Sequence, residues 1–487
     1  MTLFILGHKF HYEVENLCRM FYSNAEIIKA FEYTGGGDEI ITRADDCGDT
    51  VTWTAVVDVG GRRFEESKTL PEGCEEAELE LCRCLYDCLI KATGQRPAWG
   101  LLTGVRPVKL INRLIKDHGE EEAARYFTEK LCVSSEKTAL AMRTAEAQRE
   151  IVAQNTPRSF SLYVSIPFCP SRCSYCSFVS HSITNANAAK LVAPYVEKLA
   201  SELELIGEYA HRNGLKLESV YFGGGTPGIL SSQQSKKLIN TINESFDMSA
   251  CREFTFEAGR ADVITEEKLE TLRLCGVDRV SVNPQTYDDR VLAGIGRKHT
   301  AAEAVQAFRM ARNAGFESIN TDLIAGLPGE STEGFCASLD KAVALGSDNI
   351  TVHALALKRA RAMVSQMNSE LEQSDRAAKM LEYADKALTE HGYLPYYLYR
   401  QSRCVGNLEN VGWCLPGKEC VYNVYMMEEI HTVLAAGAGA VTRLKAPFGS
   451  EVERIFNFKY PYEYISRFEE ILERKRRISG FYDDHVS

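Results

Sequence analysis

Nothing in this chain reads as a membrane span. The longest weakly polar run, Val433 to Val441, is rich in glycine and alanine and far shorter than the ~20 apolar residues that a bilayer-crossing helix needs. The stretch Met1-Thr2-Leu3-Phe4-Ile5-Leu6-Gly7-His8-Lys9 has too short an apolar part and no basic flank, so no secretory signal is expected and the expected location is cytoplasmic. An excess of positive charge is also missing. The net charge is −11, which argues against a general nucleic-acid binder but leaves room for a local basic pocket that grips an anion. Low-complexity tracts are absent, and the only repetition is an alternation of strand and helix patterns. A disulfide framework is not expected either. The 16 cysteines are dispersed through 487 residues with no signal peptide, as reduced thiols would be.

What is present suggests two or three domains. Residues 1–155 read as an α+β N-terminal domain. Strands are expected from Phe4 to Phe10 and from Val51 to Val59, with a Gly60-Gly61 turn into Arg62 to Leu70. Helices are expected from Glu75 to Ala92 and from Glu120 to Leu131. Cys82, Cys84 and Cys88 fall in the first helix; two of them share a face, which is too few ligands for a metal, so core packing is expected. The stretch Trp99 to Lys109 has turn chemistry and two cations, and reads as a structured loop or an anion site.

Residues 156–392 repeat a strand, loop, helix pattern. Strands are expected at Leu162 to Phe168, Leu217 to Phe222, Glu253 to Glu257, Arg279 to Asn283, Ser318 to Ile324 and Asn349 to Leu355, and a helix at Ser374 to His391. The fold class is therefore α/β: six β/α units imply a parallel sheet with helices outside, and six rather than eight imply a partial (β/α)6 TIM-type barrel. Residues 393–487 read as a smaller C-terminal domain that covers the substrate. Its charge run Glu473-Arg474-Lys475-Arg476-Arg477 reads as a solvated helix face.

The first barrel strand ends in a loop with three thiols, Cys169, Cys173 and Cys176, spaced CxxxCxxC. Thiols so close in sequence can converge on one metal centre, and three of them on a four-iron cluster leave one iron open to another ligand. In parallel β/α folds ligands gather at the carboxyl ends of the strands. Those ends carry Gly223-Gly224-Gly225-Thr226-Pro227, Glu257, Pro284-Gln285-Thr286-Tyr287, Gly296-Arg297-Lys298-His299 and Asp322. The glycines allow close backbone approach and offer N–H groups to an anion. The carboxylates and the amide suit ammonium and sugar hydroxyls, and the arginine suits a carboxylate. Each of these taken alone also has a structural reading. Cys404, Cys414 and Cys420 can hold a second cluster or be free thiols, and Lys358, Arg359, Arg361 and Arg400 can grip substrate carboxylates or form a surface cluster.

The series YVSIPFC, CSYCSF, YFGGGTP, TFEAG, RVSVNPQTYDD, GIGRKHT and NTDLIAGLPGE, from Tyr163 to about Leu355, resembles the oxygen-independent coproporphyrinogen III oxidase family of the radical S-adenosylmethionine (SAM) superfamily. The flanking stretches, including TGVRPVK and Tyr396 to Gly412, look most like its coproporphyrinogen dehydrogenase (HemZ) branch. The resemblance implies a [4Fe–4S] cluster held by Cys169, Cys173 and Cys176. It places Tyr163, Gly224, Gly225, Thr226, Glu257, Gln285, Arg297, Asp322 and Ala356 against SAM. It further implies an oxidoreductase in which a 5′-deoxyadenosyl radical removes hydrogen from porphyrinogen propionates, which leave as carbon dioxide to give the vinyl groups of protoporphyrinogen IX in heme biosynthesis. An electron donor such as flavodoxin or ferredoxin is implied as a partner. Phe178 stands where well-characterised oxidases carry a fourth cysteine. Tyr422-Asn423 stands where heme-trafficking relatives carry a His-Asn pair. A heme-binding or heme-transfer protein that retains the SAM core, or a radical SAM enzyme with another substrate, are the alternatives.

Overall fold

The protein is described by a computed structural model that covers residues 1–23, 25–176, 180–356, 370–401 and 404–486. Phe178, Lys358, Arg359 and Arg361 lie outside the described residues. Two units separate: residues 1–142 with 400–403, and residues 143–399 with 404–487.

The first unit is built on a five-stranded sheet of β1 (Thr2–Leu6), β2 (Ile28–Ala30), β3 (Glu39–Asp46), β4 (Thr50–Val59) and β5 (Arg62–Pro71), in the order β2-β1-β3-β4-β5. Gly60 and Gly61 both take positive φ, at 60° and 72°, as the tight hairpin between β4 and β5 demands. The helices His11–Phe21 and Ala77–Thr93 contribute Val14, Leu17, Leu81, Leu85 and Leu89 to a core shared with Leu3, Ile5, Ile40 and Val57. Cys84 and Cys88 are buried in this core, and burial pushes the Cys82, Cys84 and Cys88 thiols up to about 12, about 11 and about 12. The first strand is shorter than its sequence implies, because Gly7 turns left-handed at φ 71° and a helix follows. Arg400, expected to be able to grip substrate, is buried with its guanidinium on the carbonyls of Leu102 and Gly104 and over the Trp99 ring at 5.7 Å.

The second unit contains all six expected barrel strands. They are β6 (Ser159–Ile166), β9 (Lys216–Gly224), β10 (Glu253–Gly259), β11 (Arg279–Val282), β12 (Ser318–Ala325) and β13 (Asn349–Ala354). A two-residue pair, β7 (Phe168–Cys169) and β8 (His181–Ser182), flanks the cysteine loop. All neighbours from β6 to β13 pair in parallel. Their odd and even positions separate cleanly. Leu162, Val164, Val220, Phe222, Phe254, Phe256, Val280 and Val282 join the core packed with helices such as Ala186–Arg212 and Ser232–Ser245. The alternate residues Tyr163, Tyr221, Glu257, Asn283, Asp322 and His353 therefore face the inside of the barrel.

The expectation of a separate domain for residues 393–487 is corrected. β14 (Leu394–Arg400) and β15 (Glu409–Cys414) extend the sheet beyond β13, while β16 (Thr432–Ala436), β17 (Val441–Lys445) and β18 (Val452–Phe456) extend it beyond β6. β16 pairs in parallel with β6, Thr432 opposite Phe160 and Ala436 opposite Val164. An open barrel leaves unpaired N–H and C=O groups on both edges, and this segment satisfies both. The first part of the run that begins at Val433 thus belongs to a wholly buried strand, Thr432–Ala436. The charge run is solvated at Glu473, Arg476 and Arg477 but not at Lys475. Lys475 is fully buried, 3.2 Å from a fully buried Glu202, and donates to the Ala435 carbonyl at 2.6 Å. Glu202 also accepts from the Gly437 N–H, Asn457 Nδ2 and the Tyr464 hydroxyl at 2.6–2.8 Å. Among the described residues no helix is long and apolar enough to cross a membrane.

Candidate functional site

Beyond Ile166 the chain leaves β6 and carries Cys169, Cys173 and Cys176, three partly exposed thiols outside any disulfide, across the mouth of the barrel. Backbone bonds bind this loop to its neighbours. The N–H groups of Gly225 and Thr226 donate to the carbonyls of Ile166 and Phe168 at 2.8 Å, and Ser174 N–H donates to the Ile295 carbonyl at 3.2 Å. The N–H groups that the sequence offered to an anion from Gly225 and Thr226 are thus engaged in holding the thiol loop. Gly225 is required there: a Cβ would meet the Phe168 carbonyl oxygen at 2.5 Å. Thr226 also donates its hydroxyl to Cys169 Sγ at 3.5 Å.

Arg260, one residue beyond β10, was not singled out by sequence. It is 3% exposed and reaches the Ser171 carbonyl at 3.1 Å, the Ser171 hydroxyl at 2.8 Å and Cys173 Sγ at 4.0 Å, while Asp262 holds it bidentately at 2.9 and 3.0 Å. Arg297 donates to the Asn283 carbonyl at 2.6 Å and to the Tyr175 hydroxyl at 3.1 Å, which fixes the residue between the second and third thiols. Two buried guanidiniums therefore brace the loop from β10 and from the segment after β11.

Inside the barrel, Tyr221 donates to Glu257 Oε1 at 2.7 Å. Burial, reinforced by the charge of Asp322, outweighs this bond and raises the Glu257 carboxyl to about 7. Asp322 accepts from Asn320 Nδ2 at 2.7 Å and lies 3.8 Å from His353 Nε2. Gln285 takes φ 74°, a strained conformation for a residue with a side chain, and is held by Asp322 and Ile324 through backbone bonds of 2.9 and 3.0 Å. Ala356 forms an isolated bridge with Cys404 just beyond β13.

Below these groups lies an aromatic floor. Tyr422 stacks on Tyr221 at 4.5 Å and on Tyr163 at 6.0 Å, carried there by the helix Val421–Glu428. Glu253, at the start of β10, accepts from the N–H groups of Val421 and Tyr422 at 2.8 and 3.4 Å and from Cys420 Sγ at 3.1 Å, which satisfies donors at the helix N-terminus. His353 had no signal in the local sequence, and Tyr422 had one only as the place of a His-Asn pair in heme-trafficking relatives. Cys404, Cys414 and Cys420 are buried; Cys404 donates to the Ala354 carbonyl and Cys420 to Glu253.

The residues present fit a cluster with SAM. Among the described residues no three Cys, His, Asp or Glu side chains converge on a single ion, whereas thiolates on a four-iron cube each bind a different iron. Buried polar atoms around the mouth lack hydrogen-bond partners: Arg297 Nε, Asn283 Oδ1 and both nitrogens of His299. Gly223 keeps open the space that a Cβ would fill beside Tyr163, Tyr221 and Glu257, at 2.9–3.2 Å from their atoms.

Comparison with known proteins agrees with this geometry. Residues 163–342 match the radical SAM superfamily. The chain is 34% identical over 481 residues to the oxygen-independent coproporphyrinogen-III oxidase-like protein HemZ of Bacillus subtilis, covering 96% of this chain and 95% of that protein. It is 32% identical to the heme chaperone HemW of Lactococcus lactis over 57% of this chain and 68% of that one. In fold it is similar to the Escherichia coli coproporphyrinogen III oxidase HemN, a radical SAM enzyme, at a TM-score of 0.51 and 23% identity over 67% of this chain and 72% of that one. This chain belongs to the radical SAM superfamily, within the HemN/HemZ-like family, whose cofactors are a [4Fe–4S] cluster and SAM.

Proposed function

We propose that this protein is a radical SAM oxidoreductase that converts propionate side chains of coproporphyrinogen III to vinyl groups without oxygen, yielding protoporphyrinogen IX. The observation that carries this reading is the end-to-end similarity to the oxidase-like HemZ protein, which runs through both flanks as well as the barrel. Bound together, the cluster and SAM supply a 5′-deoxyadenosyl radical that abstracts hydrogen beside the porphyrinogen ring.

The protein's own part is to bind, orient and exclude water. Cys169, Cys173 and Cys176 hold the cluster. Tyr163, Gly224, Gly225, Thr226, Glu257, Gln285, Arg297, Asp322 and Ala356 contact SAM. The carboxyl groups of Asp322 and Glu257 suit a sulfonium-bearing ligand, and the stacked Tyr163, Tyr221 and Tyr422 exclude water from beneath it. No side chain need act as base or nucleophile in the abstraction.

The test is anaerobic reconstitution with SAM, dithionite and coproporphyrinogen III, reading 5′-deoxyadenosine and decarboxylated porphyrin together. Deoxyadenosine without porphyrin product overturns the substrate and keeps the superfamily. Replacement of all three loop cysteines by alanine removes both products if the site is read correctly. The similarity to heme chaperones across the barrel favours a second reading, heme transfer. Tight stoichiometric heme binding without turnover would select it.

A further inference from the structure

One flank of the second unit carries three exposed aromatics close in sequence, Phe456, Tyr460 and Tyr462, at 58%, 37% and 51% exposure. Tyr460 and Tyr462 are stacked 5.5 Å apart with rings 9° from parallel, and both meet the His181 ring edge-on at 6.1 and 6.5 Å. His181 belongs to β8, whose register sets it opposite Phe168 and its neighbour Ser182 opposite Cys169. The patch is therefore one strand away from the first thiol of the cluster loop.

Cations accompany the rings. Lys459 and Arg172 are exposed, and Arg474 lies 4.3 Å over the Phe458 ring. None of the three has a carboxylate partner at ion-pair distance among the described residues, in a chain whose net charge is −11. Stacked aromatics with arginine and lysine mark a recognition surface, and unpaired cations on an acidic protein select an acidic partner. The patch also lies on the outside of the barrel. The adjoining helices Pro461–Ser466 and Phe468–Lys475 pack on the outer helix Ala186–Arg212, through Tyr464 to Glu202 and Lys198 over Phe468. A substrate must enter the barrel mouth, whereas an electron needs only the shortest path to the cluster.

We propose that Tyr460, Tyr462, Lys459 and His181 form the docking surface for an acidic one-electron carrier protein that reduces the cluster. The inference rests on the radical SAM chemistry and not on the choice of substrate. The electron count is simple: an anionic flavin hydroquinone becomes a neutral semiquinone, the electron passes to the oxidised [4Fe–4S]2+ cluster to give [4Fe–4S]+, and no proton crosses the interface.

Flavodoxin is a suitable acidic probe. Its equilibrium affinity for the full chain is measured by calorimetry with and without the cluster, and its hydroquinone is then used to bleach the cluster anaerobically. Tyr460→Ser with Tyr462→Ser, and separately Lys459→Glu, are expected to weaken binding about tenfold or more and to slow bleaching in proportion. The Lys459 variant should also lose much of the salt dependence of binding. SAM cleavage driven by dithionite should stay within about twofold of the parent in both variants, because the site inside the barrel is untouched. Unchanged flavodoxin affinity in both variants, or no affinity in the parent chain, overturns the proposal. Dithionite-driven cleavage that fails in the parent would instead overturn the reading of the site.

Discussion

The Tyr221 hydroxyl donates to Glu257 Oε1 at 2.7 Å, yet the Glu257 carboxyl is held near 7 rather than in the usual carboxylate range. The bond favours the ionised form, but burial opposes it more strongly, and the charge of Asp322 adds to burial. A cationic ligand beside the pair reverses the balance.

SAM affinity should consequently rise as pH increases through about 7, and binding near neutrality should release a proton from Glu257. Calorimetry in two buffers of different ionisation enthalpy measures that proton. In Glu257→Gln the release and the pH slope should both vanish. The stability of the ligand-free chain should move the other way. A carboxyl with a raised folded pKa contributes stability that is fully present below its unfolded value near 4.5 and lost as pH rises through about 7. The same substitution should flatten that part of a denaturation-midpoint profile.

Arg260 braces the thiol loop through Ser171 and is itself clamped by Asp262. Arg260→Met keeps the stem but removes five donors. Iron and sulfide bound per chain after reconstitution should fall severalfold, while far-UV circular dichroism stays that of the parent. Full iron content in this variant would show that the loop holds its shape without the brace.

The buried pair of Lys475 and Glu202 offers a separate stability test. Lys475→Met leaves a fully buried carboxylate with neutral donors only, and should destabilise the second unit by about 3–5 kcal/mol in chemical denaturation. Adding Glu202→Gln to it should recover part of that loss, because the uncompensated charge is removed. Additive losses would argue against direct coupling.

Gly223 faces the barrel interior beside three side chains of the site. An alanine there would stand 2.9–3.2 Å from atoms of Tyr221, Tyr163 and Glu257, and the Tyr221 ring is itself held by stacking and by its hydrogen bond. Gly223→Ala should therefore weaken SAM binding by about tenfold and lower stability by about 1–3 kcal/mol. Titration of SAM against the reconstituted protein, beside a denaturation curve, separates the two effects.

The six parallel strands were legible because each is a short apolar run between turn residues, and such runs identify their own burial. The thiol loop was legible for the same local reason, since three cysteines within eight residues form a pattern by themselves. What escaped was set by distant pairing. The Gly/Ala composition around Val433 carries little strand propensity, and it is buried because β6 lies open beside it. Lys475, in a run of five charged residues, looks solvated until Glu202 from the outer helix is brought against it. Tyr422 likewise enters the barrel only because Glu253 receives the N-terminus of its helix. The glycine loop was recognisable as a loop, but the direction of its N–H groups depends on the carbonyls of Ile166 and Phe168.

The pairing of β6 with β16 also constrains when the molecule can mature. Ser165, near the end of β6, donates to the carbonyl of Ala438, 273 residues further along the chain. A ribosome must deliver the chain through β16 before that strand has both neighbours, and closing so long a loop is slow. The three thiols issue directly from β6, so their loop acquires its final support late. Iron and sulfide are therefore expected to load only after β16 has docked on β6.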